Sequence, residues 1–293
     1  MKCSICPRRC NVERNETEGT GFCGMPSKAV VAYSGLHFYE EPCISGKNGS
    51  GAVFFAGCTL RCVFCQNHTI SRSRGGQTVS VAELRNVYFD LITEGAHNIN
   101  LVTASHFAVP VADSLREKLP VPVVYNSSGY ESTEILDMLR GKIQIYLPDM
   151  KYSDDGTAIK YSSAPNYFSI ASEAILRMYD QVGRYIIGAD GIMQSGIIIR
   201  HLIIPGELDN TYGVIDWISD NFRKGTVKLS LMRQYTPMET YRYENLNRRV
   251  TDEEYEKAKE YMYLCGVDDG YFQDRDSAVS SYTPDFSKGA VNH

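Results

Sequence analysis

From residue 51 onward, short apolar runs alternate with amphipathic stretches, and this alternation carries most of the structural information in the chain. The run Gly-Ala-Val-Phe-Phe-Ala-Gly at 51–57 reads as a first buried strand. Ser80 then caps a helix whose apolar positions Val81, Leu84, Val87, Leu91 and Ile92 fall mostly three and four residues apart. The pattern repeats, with further strands predicted over 98–103, 121–125, 143–147, 197–204 and 227–231. Helices are predicted between them: near 110–119 with Pro110 in the first turn, over about 132–139, and over 209–222. The longest, 166–183, carries Ile170, Ala174, Ile175, Met178 and Val182. Thr251 caps a last, charged helix that runs to about Cys265. Six strands, each followed by a helix, imply parallel pairing through right-handed crossovers. The count predicts an α/β fold: a partial (βα)6 TIM-like barrel over 51–270, short of the closed eight-stranded form. In such barrels the chemistry gathers at the C-terminal ends of the strands. Residues 1–50 are polar and turn-rich, which predicts a small irregular cysteine-rich, metal-binding extension, and 271–293 read as a loose polar tail.

Composition narrows the function. With 293 residues, 43% of them apolar and 22% charged, the chain can bury a sizeable core, which excludes disordered, collagen-like and coiled-coil readings. No apolar run approaches the length of a membrane helix, so no membrane partner is expected. A net charge of -5 argues against nucleic acid as a partner. Residues 252–276 hold nine acids against three bases, a surplus expected on a solvated helix face and loop. The opening residues, Met1-Lys2-Cys3-Ser4-Ile5-Cys6, lack the apolar core of an export signal, so a cytoplasmic location with reduced thiols is expected.

Of the nine cysteines, eight fall in the first 65 residues, and an odd total fits a closed disulfide framework badly. Clustered cytosolic cysteines read instead as metal ligands or catalytic groups. Cys58, Cys62 and Cys65 follow the first strand directly, where a barrel keeps its chemistry. Three thiolates on one loop can hold three irons of a cubane cluster and leave the fourth open, whereas four-cysteine ligation closes it. An open position separates a reactive metal from a structural one. Cys3, Cys6, Cys10 and Cys23 form a second, four-ligand set that suits a structural metal or an electron-transfer centre, and zinc and a second iron–sulfur cluster are both compatible with its spacing. Cys43 stands near as a spare ligand, and Cys265 is expected to be buried packing.

The loop Gly57-Cys58-Thr59-Leu60-Arg61-Cys62-Val63-Phe64-Cys65-Gln66-Asn67 resembles the signature of the radical S-adenosylmethionine superfamily. The whole chain resembles the branch related to pyruvate formate-lyase activating enzymes that carries N-terminal cysteines, through Cys6-Pro7-Arg8-Arg9-Cys10, Gly49-Ser50-Gly51 and the segment Arg200 to Gly206. The resemblance implies a [4Fe-4S] cluster on Cys58, Cys62 and Cys65 with S-adenosylmethionine on its open iron, cleaved reductively to a 5'-deoxyadenosyl radical. It also implies an electron donor such as flavodoxin or ferredoxin. Phe64 matches the family's adenine-contacting position. Ser105, with His106, stands where the family has Gly-Gly-Glu for the cofactor's amino group. Asn126 stands where activating enzymes have a cation-binding acid. Leu147-Pro148-Asp149-Met150-Lys151 resembles their Asp-Leu-Lys motif, in which Asp149 would meet an amine or ribose hydroxyl and Lys151 the carboxylate. Arg200 matches a cofactor-contacting arginine, and an arginine inside an apolar strand is costly unless it meets an anion. His201, on the other face, is expected in the core. Gln234 and Tyr235 fall near the adenosine position. Arg61, Arg72 and Arg74 read as ordinary surface charge, as counter-charges to the cluster, or as contacts for a protein substrate. Three functions stay open: activation of a glycyl-radical partner, radical modification of a peptide or small molecule, and a metal-stabilised binding or electron-transfer protein without turnover.

Overall fold

Apolar strands too hydrophobic to face water on either side build one open sheet with helices packed against it. The computed structural model describes residues 2–273 together with Pro284 and Phe286. The predicted strands are present as β2 (Ser50–Phe55), β4 (Ile99–Val102), β5 (Val123–Ser127), β6 (Ile145–Pro148), β8 (Met193–Leu202) and β9 (Lys228–Met232). Every residue of β2, β4, β5 and β6 is buried, as expected of parallel strands covered on both faces. Four elements were not legible in the periodicity: β1 (Ala29–His37), β3 (Gln77–Val79), β7 (Ile186–Ile187) and β10 (Gly270–Phe272). The sheet runs β10-β9-β8-β6-β5-β4-β2-β1-β3, with β7 on β8. From β2 to β10 the ladder is parallel, and β1 and β3 extend it antiparallel beyond β2. It is a partial, unclosed TIM-like arrangement of βα units.

The crossover helices follow the predicted stripes with one rotation. They are α3 (Val81–Thr93), α4 (Ala108–Ser114), α5 (Thr133–Leu139), α7 (Tyr167–Val182), α8 (Leu208–Asn221) and α9 (Asp252–Leu264). Three short helices, none of them predicted, accompany them: α1 (Pro42–Ser45), α2 (His68–Ser71) and α6 (Asp155–Ser162). Ser80 and Glu83 close a capping box on α3, and Thr251 and Glu254 close another on α9. On α3 the buried residues are Leu84, Tyr88 and Leu91, while Val81 is exposed. Tyr88 reaches the hydroxyl of Ser114 at 3.1 Å, so an aromatic with a polar tip takes the place expected for Val81 and Val87. Cys265 caps the end of α9 half-buried rather than buried. Glu253 and Glu256 of α9 face solvent and pair with Lys257 and Lys259, while Glu254 turns in to Arg248 and the Gly206 amide.

Residues 29–45, expected to belong to an irregular extension, are built into the barrel instead. Strand β1 pairs with β2 across a register shift at Val31 and Tyr33. Cys43 and Ile44 of α1 pack with Val124, Ile145, Leu147, Met193 and Ile198, plugging the space inside the sheet. Asn98 locks the plug by donating to the carbonyl of Ile44 at 2.8 Å and accepting from Ser50 at 2.6 Å. At the other end, β10 extends the sheet by pairing with β9, within the segment expected as tail. The rest of that expectation falls on 274–293, which apart from Pro284 and Phe286 lie outside the described residues. Among the described residues no helix is long and apolar enough to cross a membrane.

Gly129, just past β5, has φ +75°, and a Cβ there would lie 2.3 Å from the carbonyl oxygen of Asp149. Gly129→Ala is therefore expected to lower the unfolding free energy by roughly 2 kcal/mol or more, read from urea titration. An unchanged midpoint would show that this crossing is not under constraint.

Candidate functional site

Strand β2 ends in a turn that only glycine can make. Gly57 has φ +75°, and a Cβ on it would lie 2.5 Å from Met25 Cγ and 2.9 Å from the Cys23 carbonyl oxygen. The cysteine loop therefore starts jammed against the N-terminal segment. Within it, Cys58 Sγ accepts from the Leu60 amide at 3.3 Å, and Cys62 Sγ accepts from the Ser162 hydroxyl at 2.9 Å. Burial, then the neighbouring Cys62 and Cys58 sulfurs, push the Cys65 thiol up to about 12. Burial and Cys62 raise Cys58 likewise. Cys58 and Cys65, desolvated and beside another sulfur, resist ionising without a cation near them, and a thiolate-binding metal supplies one.

Arginines hold this loop from several sides. Arg8 donates from Nε to the Thr59 carbonyl at 2.8 Å and from Nη2 to the Ser162 carbonyl at 3.1 Å, and its Nη1 reaches the Ser163 carbonyl. Its guanidinium stacks 3.9 Å over Phe22. Arg72 donates to the Cys62 carbonyl at 3.3 Å and Arg74 to the Gly19 carbonyl at 3.3 Å. Arg61 lies over Phe22 at 5.2 Å. Arg8, Arg61 and Arg74 tie this region to the extension, and Arg72 ties the end of α2 back to the loop.

Beyond the loop a cleft of about 500 Å³ is lined by Cys62, Phe64, Cys65, Asn126, Asp149, Lys151, Arg200 and Gln234, among others. Arg200 is its hub. Nε meets Asp149 Oδ1 at 3.2 Å, Nη1 meets Glu40 Oε2 at 3.0 Å, and Nη2 donates to Asn126 Oδ1 at 2.6 Å. Asp149 Oδ2 takes Lys151 Nζ at 2.7 Å. Burial would raise the Asp149 carboxyl, but Lys151 and then Arg200 outweigh it and hold it below its ordinary range. Burial opposes the charge on Lys151, and Asp149 more than restores it. Phe64 stands edge-on to Tyr161 and Tyr235, each at 6.1 Å. Gln234 is fixed from both ends: Gln66 donates to its carbonyl at 3.3 Å, and Gln273 donates to its side-chain oxygen at 3.0 Å. Tyr235 turns inward, its hydroxyl on the Leu246 carbonyl at 2.7 Å.

Two expected residues do not reach the cleft. After β4 the chain turns at Thr103, with φ +61°, into a short 3-10 turn (Ser105–Phe107) whose three side chains are all buried. Ser105 donates to Glu131 Oε1, and Tyr125 donates to Glu131 Oε2 at 3.2 Å. His106 bonds the Ala56 carbonyl at 2.7 Å, and burial lowers its pKa to about 4, which keeps it neutral. His201 is equally buried and neutral, on the Met150 carbonyl at 2.7 Å and the Thr211 hydroxyl at 3.0 Å.

Cys3, Cys6, Cys10 and Cys23 line one small recess together with Arg8, Arg14 and His106. Cys10 Sγ accepts from the Phe22 amide at 3.3 Å, and burial pushes Cys6 up to about 12. Cys43 is not part of this set; it sits in the plug beside Tyr271. As the side chains stand, no group of three or more His, Cys, Asp or Glu among the described residues converges as it would on a single metal ion. Sequence reasoning missed Glu40 and Glu41, which enter the cleft from the β1–α1 connection. Adjacent acids before Pro42 were the only signal, and nothing local says that this turn folds into the barrel.

No protein-family model matches the chain. The uncharacterized protein MJ0674 of Methanocaldococcus jannaschii is 32% identical over 280 residues, which cover 91% of this chain and 75% of that protein. Among solved structures, SuiB of Streptococcus suis bound to S-adenosylmethionine aligns at a TM-score of 0.49 with 8% identity, over 79% of this chain and 52% of SuiB. The chain thus spans about half the length of SuiB. Methylornithine synthase (PylB) aligns at 0.48 with 14% identity, over 72% of this chain and 62% of that one. TYW1 with a lysine-pyruvate adduct bound aligns at 0.46 with 10% identity, over 73% of each.

Glu131 gives a pH signature. Burial raises its carboxyl from an ordinary 4.5 to about 7, against the pull of Ser105, Tyr125 and Ser127. A raised carboxyl stabilises the fold fully below its unfolded value and loses that stabilisation as pH climbs to the folded one. Relative to Glu131→Gln, the wild-type unfolding free energy is expected to fall by roughly 3 kcal/mol across that window and then level off. Parallel pH profiles for the two proteins would refute it.

Proposed function

The chain belongs to the family of the Methanocaldococcus jannaschii protein MJ0674, and we propose that it is a radical S-adenosylmethionine enzyme built on Cys58, Cys62 and Cys65. One observation carries the reading: the cysteine loop at the end of β2 opens onto the same cleft as the Asp149, Lys151 and Arg200 charges. The donor set fits a cluster. Three thiols sit on one loop, burial raises Cys58 and Cys65 and so favours a cation beside them, and among the described residues the cysteines that line the cleft are Cys62 and Cys65 of this loop. When bound, a [4Fe-4S] cluster with S-adenosylmethionine supplies one electron to the sulfonium and so a 5'-deoxyadenosyl radical for hydrogen abstraction.

The chain's own residues bind, aim and shield. Lys151 offers an ammonium to a carboxylate, and Asp149 offers an acceptor to an amine or ribose hydroxyl. Arg200 already spends a bond each on Glu40, Asp149 and Asn126, so its part is to hold those groups in place as well as to meet a ligand. Phe64, backed by Tyr161 and Tyr235, gives a dry wall for a planar base. Electrons would come from a small redox protein such as flavodoxin or ferredoxin, and Cys3, Cys6, Cys10 and Cys23 would hold a second metal, zinc or iron–sulfur, once their thiols draw together. The Asn126 amide is committed to Arg200 and Glu40, which leaves no free carboxylate for a cation at that position. The cleft's size favours a small molecule or a single side chain as substrate. Activation of a glycyl-radical partner rests on the sequence resemblance.

Anaerobic reconstitution with iron and sulfide, followed by dithionite and S-adenosylmethionine, is expected to release 5'-deoxyadenosine and to alter the reduced cluster's magnetic-resonance spectrum. Cys58→Ser is expected to fall to background. Equal release from the variant, or a spectrum indifferent to S-adenosylmethionine, would overturn the proposal in favour of a protein without turnover.

A further inference from the structure

Counted as ionised, the acids that line the cleft outnumber the bases by one among the described residues. Glu40, Glu41 and Asp149 face Lys151 and Arg200. Arg200 bonds both Glu40 and Asp149, and Lys151 bonds Asp149, so these four neutralise one another. Glu40 is further saturated by Asn100 at 2.9 Å and Asn126 at 3.1 Å. Glu41 is left over. It is 8% exposed, and Ser230 bonds its carboxyl. Its Oε2 is buried with no hydrogen-bond partner among the described residues. His37, on the cleft wall, does not help: burial and then Arg200 lower its pKa to about 4, so it stays neutral. Lys228 is engaged by Asp269 at 2.5 Å.

Burial raises the Glu41 carboxyl above its ordinary range, so a carboxylate here, with its Oε2 buried and unmatched, is costly until a cation meets it. The surroundings suit an organic cation better than a metal ion. Tyr271, Phe272, Phe54 and Tyr39 line the same cleft and give aromatic surface for the apolar stem of an ammonium, with Lys228 already 5.7 Å over Tyr271 and Lys259 5.7 Å over Phe272. We infer that Glu41, with Ser230 and these aromatics, forms the recognition subsite for a substrate carrying a protonated amine or guanidinium on an apolar stem. The inference rests on the reading of this cleft as the enzyme's substrate and cofactor chamber. The subsite is offset from the Asp149 end: Asp149 bridges to Arg200, and Arg200 pairs with Ser230, so two strand spacings, roughly 10 Å, separate them. That spacing is between backbones, and Arg200 stands between the two acids and acts on both, so competition with S-adenosylmethionine decides whether the cation is the substrate's own.

The test is calorimetric titration of the anaerobically reconstituted full chain. The probes are cadaverine and agmatine, as free amines, and the peptide acetyl-Gly-Lys-Gly-amide, as a basic side chain. Pentanol and pentanoate serve as neutral and anionic controls. At least one cationic probe is expected to bind and the controls are not; which arm binds more tightly tells a free amine from a peptide side chain. Glu41→Gln is expected to weaken the bound cation by at least ~10-fold, or about 1.4 kcal/mol. Saturating S-adenosylmethionine is expected to leave amine binding in place. Binding of no cation, equal binding of a control, an unchanged affinity in Glu41→Gln, or displacement by S-adenosylmethionine would each overturn the inference. The control comparison is made on the wild-type protein and so does not depend on the variant folding. Amine binding without 5'-deoxyadenosine release would sink the enzymatic reading and keep the subsite; release without amine binding would do the reverse.

Discussion

A guanidinium inside an apolar strand has to be neutralised, and much of the barrel interior is arranged around doing so. Arg200 sits in β8 between Ile199 and His201, both fully buried. Its ligands arrive from three separate places: Asp149 past β6, Asn126 in β5, and Glu40 ahead of the plug. Each brings its own segment to a fixed depth in the barrel. The parallel register of β5, β6 and β8 sets the first two. The third draws the N-terminal region inside, and the plug of Cys43 and Ile44 follows it. Electrostatic satisfaction and apolar packing thus select the same path for residues 38–50.

The N-terminal residues consequently serve two ends of the molecule. Residues 40–45 fill the inside of the sheet, while the four-cysteine segment before β1 lies against the loop that follows β2. The contact at Gly57 has no slack, since Met25 and the Cys23 carbonyl occupy the space a side chain would need. Arg8 adds a polar tie across the same seam. What looks in sequence like an appended module is part of the wall of the chamber.

Much of the fold was legible because parallel strands and their helices write strong periodicities. The central strands and α7 lie within a few residues of their predicted positions. The polar residues at strand ends were also readable, since Asp149, Lys151 and Arg200 each interrupt or end an apolar run. Ser105 stands in sequence where the family contacts the cofactor's amino group; the turn at Thr103 and the bond to Glu131 take it away from the cleft, and the spacing shows neither. Strand β1 hid behind Ser34 and Gly35, which break its alternation, and β10 is three residues that acquire strand form only by pairing with β9. Glu40 and Glu41 could not be read at all, because their burial depends on a chain reversal that no spacing encodes.

The Arg8 guanidinium touches carbonyls of Thr59, Ser162 and Ser163, which belong to crossovers separated by about a hundred residues. Such a stitch makes one rim of the chamber a closed seam that cannot part without breaking several bonds at once. Among the described residues no ladder joins the two edges of the sheet, and Tyr39 and Gln273 line the cleft, which leaves passage in and out to a flank other than the Arg8 seam. The sheet's failure to close is, on this view, its doorway.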